Sequence, residues 1–467
     1  MNPTPCSSVT FSVASTLTEP MPSFPNSTQV LVVGGGPAGT STAWHLAAAG
    51  LDVVLVDRAR FPRAKPCAEY VSPEGARILH AMGALELLEQ AQSTTPSTSG
   101  TALPSAALTG MQVHAPSGEV IRGEFIAQHG FRGFRDRGLG VRREVLDTLL
   151  LQRVCGAGVR VVEQAKVETL LQDDNGTVIG ARMRAHGAMH DIRATLVVGA
   201  DGLRSIVARR LGLARTSRWP KRIALVAHYR NVAGMGSLGE MHVTRDGYVG
   251  LAGVGDGLTN VALVVPTSRA VAMSGDAAAF LAQWLAQHPG LRERFAQAIR
   301  VTPVRVTGPF ASRARRSWSD GALLVGDAAD FYDPFTGEGI YAALRGGELA
   351  APFVVDAVRA LELGAHASRR HRARKALRGY ESARHATFAG KWRVEKLIGA
   401  AVAMPWLMNH AARVLSRDRD LADLLVGVTG DFVPPSAVLS PRMLLRFLVP
   451  RRSTHASTSP VLHAHRQ

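Results

Sequence analysis

A strand–turn–helix pattern near the N-terminus constrains the fold of this chain most. An apolar run of strand length, residues 29–33, breaks into glycines at G-x-G-x-x-G spacing: Gly34, Gly36 and Gly39. An alanine-rich helical segment follows, and a second apolar run then ends on Asp57. Strand, glycine turn, helix, strand and acid in this order are typical of a βαβ unit that binds a dinucleotide.

The residues of this turn differ in what they contribute to a nucleotide site. Gly34 permits the tight turn, Gly36 lets the backbone approach a pyrophosphate, and Gly39 lets the helix pack closely on the strand. Pro37 and Ala38 begin the helix, where unpaired N–H groups and the positive dipole end favour phosphate. The acid that ends the second strand is placed to accept hydrogen bonds from a ribose diol. The sequence therefore predicts a dinucleotide site here.

Length and composition limit the classes of protein to consider. With 467 residues, 46% of them hydrophobic, the chain is long enough for two or three domains. Three cysteines are too few for a disulfide framework and favour a reducing, cytoplasmic setting. The sixteen histidines form no group with metal-ligand spacing, so we expect no metal site. The sequence leaves the oligomeric state open.

The net charge of +17 comes mostly from arginine and bears on the expected partners. A nucleic-acid-binding surface would need a concentrated basic patch with interleaved aromatic residues, and none is visible, so we expect no nucleic-acid partner. Anionic headgroups attract such charge, which leaves open a peripheral contact at the inner face of a membrane. The basic run at 368–375 is the candidate segment, with a solvated helix face as the alternative interpretation.

Three strand ends that lie far apart in the chain share one pattern. Residues 34–39, 199–202 and 326–327 each follow an apolar strand and form a polar or glycine turn. In an open α/β sheet, ligands bind beyond the carboxyl ends of the strands. We therefore expect all three turns to line one cleft that holds an extended dinucleotide. Asp327 would accept a ribityl or ribose hydroxyl there, or else cap a helix.

These turns together resemble the flavoprotein superfamily that contains p-hydroxybenzoate hydroxylase, geranylgeranyl reductases and flavin-dependent halogenases. The resemblance covers roughly residues 29–350 and implies FAD as cofactor, with NAD(P)H only as a transient electron donor. It implies that the glycine turn holds the pyrophosphate and that Asp57, with Arg58 beside it, holds the adenosine ribose. Arg143 matches an arginine near the pyrophosphate, with Arg142 as the alternative register. Further cofactor contacts implied by the resemblance are Asp201, Gly202, Asp327 and Ala328.

Two segments are similar to the geranylgeranyl reductase branch in particular. Residues 62–69, followed by Ser72-Pro73, look like its P-x-x-K-x-C-G segment. Residues 333–340 are similar to its D-P-x-T-G-E-G-I segment, in which glycines beside a helix N-terminus let N–H groups face the pyrimidine edge of the flavin. For Glu338 the alternative is a plain first-turn acid that complements the helix dipole. The flavin neighbours implied are Pro334, Gly337, Glu338, Gly339 and Ile340.

Cys67 in the first of these segments is the candidate catalytic residue. A cysteine beside a flavin could protonate a carbanion or shape the pocket, and its reactivity depends on the thiolate. Lys65 and the arginines of the same loop (Arg58, Arg60 and Arg63) would favour the thiolate. The alternative is a small buried hydrophobic residue.

Two departures from the reductase pattern concern the substrate. Ala68 replaces the glycine that follows the cysteine. The reductases' Y-x-W-x-F-P strand, which lines a prenyl channel, corresponds to residues 248–253, where only the tyrosine is retained. Tyr248 and Gly250 are the candidate substrate contacts. The tryptophan-rich motif and the lysine of the halogenases are absent.

The expected architecture is α+β. It combines a discontinuous, Rossmann-like FAD-binding domain with a β-sheet substrate domain and a helical C-terminal region. Three local predictions are one helix from Pro73 to Gln90, a surface connection over 91–110 and a hairpin turn at Asn175-Gly176. The predicted boundaries are a disordered tail at 1–27 (Met1 or Met21 being the start), an FAD-binding domain at 28–90, 140–215 and 310–350, a substrate domain at 91–139 and 216–309, a helical region at 351–433 and a mobile tail at 434–467.

The resemblance implies an FAD-dependent oxidoreductase that acts on a lipophilic small molecule. The first hypothesis is hydride transfer from reduced flavin to a C=C bond, as in the geranylgeranyl reductases. The second is a monooxygenase that hydroxylates an aromatic or polyketide-like ring through a flavin C4a-hydroperoxide. The third is a flavin-binding partner protein without turnover.

Overall fold

The computed structural model describes residues 24–90, 105–216, 221–273, 275–363 and 366–448. The strands of these residues are β1 (Ser27–Val33), β2 (Val53–Val56), β3 (Tyr70–Val71), β4 (Ser105–Leu108), β5 (Gly110–His114), β6 (Val120–Glu124), β7 (Gly138–Val141), β8 (Arg160–Val162), β9 (Lys166–Gln172), β10 (Val178–Ala185), β11 (Ala188–Gly199), β12 (Ala214–Thr216), β13 (Arg222–Arg230), β14 (Leu238–Thr244), β15 (Gly247–Gly253), β16 (Thr259–Pro266), β17 (Ile299–Arg300), β18 (Arg305–Thr307), β19 (Ser312–Ala314), β20 (Trp318–Ser319), β21 (Ala322–Leu324) and β22 (Asp330–Phe331). The α-helices are α1 (Pro37–Ala48), α2 (Pro73–Ala81), α3 (Leu85–Gln90), α4 (Arg143–Gly156), α5 (Ile206–Arg210), α6 (Ala277–Gln287), α7 (Pro289–Phe295), α8 (Gly339–Leu363), α9 (His366–Ala403), α10 (Pro405–Leu415), α11 (Arg419–Thr429), α12 (Pro435–Val438) and α13 (Pro441–Leu448).

A parallel sheet forms the frame of the nucleotide-binding part. Its parallel strands lie in the order β8-β2-β1-β11-β21, with β20 antiparallel at one edge and the hairpin β9–β10 joined to β11. Val33 lies opposite Val56 and Gly199, and Gly199 lies opposite Leu324. The carboxyl ends of β1, β2, β11 and β21 therefore meet at one edge, as expected for the three turns.

The central strands are apolar along their whole length because both faces of this sheet are covered. Val30 and Val32 face a core that α1 and α8 contribute to, and Leu31 and Val33 face a second core on the opposite side. The rigid sheet thus presents the turns at fixed positions.

A second sheet has the strand order β17-β13-β16-β15-β14-β5-β6, with β18 also paired to β13. It joins residues 110–124 to residues 222–307, and the pair β5–β14 is parallel whereas the other neighbours are antiparallel. One face packs on α6 and α7 through Leu281, Trp284 and Leu291. The other face is turned toward α10 and α11.

Two predictions in the region 73–110 are wrong. The helix predicted from Pro73 to Gln90 is two helices, because Gly83 adopts a left-handed φ of 63° between α2 and α3. Part of the predicted surface connection, residues 105–108, is the strand β4, which pairs with β7. Residues 91–104 lie outside the described residues. The hairpin at Asn175-Gly176 is confirmed by the antiparallel pairing of β9 with β10.

The chain termini also differ from the expectation. A mobile tail from 434 is wrong for residues 435–448, which form α12 and α13, each with a proline at its first position. Val438 is buried in a cluster with Val394 and Leu424, so these helices are anchored by apolar packing. At the N-terminus, Phe24 already stacks on His190 with ring centroids 4.0 Å apart. Residues 1–23 and 449–467 lie outside the described residues.

The helical C-terminal part begins with α9, α10 and α11, as expected, and continues with α12 and α13. The helix α9 is 38 residues long and packs against α8 and α10. In the described part of the chain, no helix is both long and apolar enough to span a membrane.

Candidate functional site

A cavity of about 440 Å³ lies between the carboxyl edge of the parallel sheet and the second sheet. Its size falls within the range of small-molecule sites. All three turns contribute to its wall, and α9 contributes side chains from Arg384 to Lys396. The wall residues from the second sheet are small or apolar and include Ala224, Val226, Met241, Gly250, Ala262 and Val264.

The glycine turn after β1 leaves no room for side chains at two positions. A Cβ atom on Gly39 would lie 1.8 Å from the carbonyl oxygen of Gly34, and one on Gly34 would lie 2.5 Å from the carbonyl oxygen of Ala200. Gly34 also has a left-handed φ of 112°. A Cβ on Gly36 would instead meet only guanidinium nitrogens, at 3.6 Å, so Gly36 faces the cavity at the N-terminus of α1.

Three cations surround this turn. Arg143 is buried and donates to both carboxylate oxygens of Asp147, at 2.8 and 2.7 Å, and Arg63 contacts Asp147 at 3.2 Å. Burial alone would lower the pKa of Arg143, but Asp147 and the Cys67 sulfur outweigh it, so the pKa is raised. Burial, together with Arg143, lowers the pKa of Lys65. The surplus of positive charge beside a helix N-terminus fits a pyrophosphate.

Asp57 lies next to the turn, and neither Asp57 nor Arg58 is part of the cavity wall. The Asp57 carboxylate accepts from the N–H of Gly35 at 2.7 Å and from the N–H of Ala59 at 2.8 Å. Two carboxylate oxygens have further lone pairs, so a ribose diol could bind the same group. Arg58 is exposed, so its contact with the ribose stays a prediction.

The two aspartates of the other turns are placed differently. Asp201 accepts from the N–H of Ile206 at 2.6 Å and so caps α5, while Gly202 lies in the cavity wall.

Asp327 lines the cavity, and its carboxylate accepts no hydrogen bond from the described residues. Burial raises the pKa of Asp327, opposed by Lys65 and Arg143. Ala328 packs into the core. The structure thus brings Asp327 and Gly202 to the cavity, but not Asp201 or Ala328.

The segment 333–340 forms one wall of the cavity. Gly337 has a left-handed φ of 73°, and α8 begins at Gly339, so the N-terminus of α8 is at the cavity. The Glu338 carboxylate forms an ion pair with Lys391 of α9 at 3.1 Å. Pro334, Gly337, Glu338, Gly339 and Ile340 all line the cavity.

Tyr248 is a buried structural contact of that segment as well as a wall residue. Its hydroxyl donates to Asp333 Oδ1 at 2.6 Å, and Arg222 donates to Asp333 Oδ2 at 2.8 Å. Burial, with the Asp333 carboxylate, holds the pKa of Tyr248 well above its usual value. Tyr248 therefore ties the second sheet to the segment 333–340, and Gly250 lies beside it in the wall.

Cys67 also lies in the cavity wall and packs against the apolar cluster that contains Ile340. Its sulfur accepts from the N–H of Glu69 at 3.4 Å. The cation whose pKa the sulfur helps to raise is Arg143 of α4, whereas the sequence pointed to the cations of the cysteine's own loop.

A polar network that no sequence motif indicates holds the Cys67 loop. Glu69 is buried and accepts from the N–H of Arg143 at 2.8 Å, from Asn260 Nδ2 at 2.8 Å and from His228 Nε2 at 2.7 Å. Asn260 Nδ2 also donates to the Cys67 carbonyl oxygen at 2.9 Å. The network joins the loop to β13 and β16. No local signal predicts it, because its members are far apart in the chain.

The structure also brings together a group that the sequence did not indicate. His114, Glu240 and His242 offer three ligand atoms of the kinds that bind metal ions. The two imidazole rings stack with centroids 4.1 Å apart, and burial lowers the pKa of His114 to about 4. Arg294 is already paired with both oxygens of the Glu240 carboxylate, so an internal cation balances its charge.

Comparison with known proteins agrees with this geometry. A family model described as an FAD binding domain matches residues 27–389. Digeranylgeranylglycerophospholipid reductase 2 of Methanopyrus kandleri is 29% identical over 412 residues, covering 86% of this chain and 93% of the relative. Digeranylgeranylglycerophospholipid reductase of Methanothrix thermoacetophila is 31% identical over 345 residues, covering 72% and 79%.

Solved structures share the fold. The myxobacterial chondrochloren halogenase matches with a TM-score of 0.68 at 24% identity, covering 79% of this chain and 81% of that one. A geranylgeranyl bacteriochlorophyll reductase-like protein from Thermoplasma acidophilum matches with a TM-score of 0.62 at 21% identity, covering 91% and 96%. The expected superfamily and fold class are confirmed. The chain belongs to the FAD binding domain family and is an FAD-dependent oxidoreductase whose cofactor is FAD.

Proposed function

We propose that this protein reduces a C=C bond of a lipophilic, isoprenoid-like molecule. The observation that carries the proposal is a single cavity that joins the nucleotide-binding turns to an apolar sheet surface. Ala224, Ala262 and Gly250 leave space above that surface for an apolar chain. The two relatives named as reductases of geranylgeranyl lipids support the same reaction class.

In this proposal the residues of the cavity have separate tasks. Bound FAD supplies the hydride, and a transiently bound NAD(P)H supplies its electrons. The turn at Gly36 and the side chain of Arg143 hold the pyrophosphate, Asp57 holds the adenosine ribose, and Asp327 accepts a ribityl hydroxyl. The N-terminus of α8, including the N–H groups near Gly337, stabilises negative charge at the pyrimidine edge.

Cys67 lies in the cavity wall, where it would shape the substrate pocket beside the cofactor. The network of Glu69, His228 and Asn260 fixes its position. We therefore expect Cys67 to shape the pocket as part of a rigid wall.

The experiment is anaerobic mixing of the chemically reduced holoprotein with a geranylgeranyl glycerophospholipid in detergent. We expect the absorption of oxidised flavin to return without oxygen and the lipid to gain two hydrogen atoms per reduced bond. The saturated lipid is the matched control and should leave the flavin reduced.

The second candidate function is the monooxygenase. Reoxidation that requires oxygen, with an oxygen atom in the product, would replace the reductase proposal by this candidate. The departure of residues 248–253 from the prenyl-channel motif is the observation that favours that second candidate.

We also propose a peripheral contact with anionic membranes through the C-terminal helices. Four large apolar side chains are exposed on these helices: Leu397 on α9, Met404 in the turn before α10, Trp406 on α10 and Leu445 on α13. The helix α10 packs against both α9 and α13. The exposed Lys396 lies beside them at the cavity wall. Because apolar side chains next to cations favour an anionic interface, we expect flotation with vesicles of acidic phospholipid. Flotation should fall severalfold in Trp406→Ser, and equal flotation with neutral vesicles would contradict the proposal.

A further inference from the structure

Glu395 is an acid of the cavity wall that none of the tasks above uses. It lies on α9, one turn after Lys391, and its side chain lines the cavity. No hydrogen bond or close ion pair among the described residues involves its carboxyl group. It therefore faces the space that the substrate would enter without a fixed partner.

The surroundings of Glu395 favour its neutral form. Burial is the largest influence, and the nearby carboxylate of Glu338 adds to it, so the pKa of Glu395 rises to about 8. Lys391 opposes this rise, but its ammonium already contacts both Glu338 and Asp431. The other groups that face Glu395 are the carboxylates of Asp330 and Asp333 and the phenol of Tyr332. At neutral pH the side chain thus carries a proton at the cavity surface.

We propose that Glu395 is the proton donor in the reduction of the C=C bond, a role that rests on the proposed function. The Glu395 Oε–H bond breaks, and its proton forms a C–H bond with one alkene carbon. Reduced FAD, when bound, would supply the hydride for the second C–H bond, on the neighbouring carbon, and would be oxidised by two electrons. The π bond is lost, and the Glu395 carboxylate regains a proton from water.

The two fully buried tyrosines of the cavity wall are less suited to this step. The Tyr248 hydroxyl is held by Asp333. The Tyr70 hydroxyl is buried without a hydrogen-bond partner among the described residues, but burial holds its pKa well above the usual value. A general acid works best when its pKa lies near the working pH. Glu395 meets that condition.

The first test reads the proton directly, without any substrate. Infrared spectra of the holoprotein between pH 6 and 10 should contain the C=O band of a protonated carboxylic acid, and the band should disappear with a midpoint near pH 8 (about the value above). It should be missing in Glu395→Gln and kept in Asp356→Asn, which changes an exposed acid of α8. A band that is absent at neutral pH, or unchanged in Glu395→Gln, overturns the inference whatever the reaction is.

The second test is the anaerobic reoxidation of reduced holoprotein by the unsaturated lipid. Glu395→Gln should lower this rate by about 100-fold, the usual size of a general-acid contribution, with FAD content and lipid binding unchanged. Glu395→Asp should recover part of the rate, and the wild-type rate should fall above pH 8 (about the same midpoint), whereas that of Glu395→Gln should not. A wild-type rate in Glu395→Gln overturns the inference and leaves the proposed function standing. A wild-type protein that the lipid never reoxidises overturns both.

Discussion

The Gly39→Ala variant is expected to lose FAD binding by at least about 100-fold and to be markedly less stable than the wild type. The added Cβ would lie 1.8 Å from the Gly34 carbonyl oxygen, a contact that no rotamer change can relieve because the atom belongs to the backbone. Either β1 or α1 must move, and both are fixed by the buried cores on the two faces of the sheet. The measurements are the FAD released per chain and the urea midpoint of unfolding.

Gly156→Ala is the matched control for this variant. A Cβ at Gly156 meets nothing within 4 Å, and the residue lies in the last turn of α4 with no left-handed φ. Its expected effect is neutral or slightly stabilising, since alanine favours the helix. A Gly39→Ala protein that retains stoichiometric FAD would show that the turn is not the cofactor cradle.

The Arg143→Met variant has the second large expected effect, for two separable reasons. Removing the guanidinium leaves the fully buried Asp147 with its ion pair to Arg63 as the remaining one among the described residues, and breaking a buried pair typically lowers the free energy of unfolding by about 3–5 kcal/mol. Losing charge-assisted hydrogen bonds to the pyrophosphate should weaken FAD binding by about 2 kcal/mol, or roughly 30-fold. Chemical denaturation and FAD titration measure the two effects.

Two further variants separate stability from binding. Arg143→Met with Asp147→Leu removes the stranded charge, so the stability should return toward the wild-type value while FAD binding stays weak. Arg142→Met tests the neighbouring register. Arg142 is half-buried and pairs with Glu144 and Asp256, so its loss should lower the free energy of unfolding by about 1 kcal/mol or less and leave FAD binding unchanged. Weaker FAD binding in Arg142→Met than in Arg143→Met would show that Arg142, and not Arg143, contacts the pyrophosphate.

The first nucleotide-binding turn could be predicted from the sequence because its requirements are local. Spacing alone places Gly34, Gly36 and Gly39 in one strand–turn–helix unit, and the clashes at Gly34 and Gly39 explain why glycine occupies those positions. The convergence of distant turns followed from the rule that parallel strands end at one edge.

The structure differs from the sequence-based expectation where one residue type can serve more than one structural role. Asp201 follows a strand as Asp327 does, but α5 begins so soon after it that its carboxylate caps that helix. Arg58 follows Asp57 directly, yet its side chain is exposed whereas Asp57 is buried. The break at Gly83 rests on a single left-handed residue inside an otherwise helical pattern.

Contacts that depend on tertiary packing could not be predicted. Glu69 meets His228 and Asn260 because the second sheet packs over the Cys67 loop, and the partners are 159 and 191 residues apart. Glu395 belongs to no motif. Its place at the cavity follows from the path of α9, and its raised pKa follows from burial and from the nearby carboxylate of Glu338.

The central claim is that three distant strand ends hold one molecule of FAD. Identifying and counting the flavin released on denaturing the purified protein, after reconstitution of the apoprotein with FAD and removal of unbound flavin, tests this claim most directly. The account predicts one FAD per wild-type chain and almost none in Gly39→Ala. A wild-type protein that retains no FAD, or that holds FMN in its place, would contradict the account.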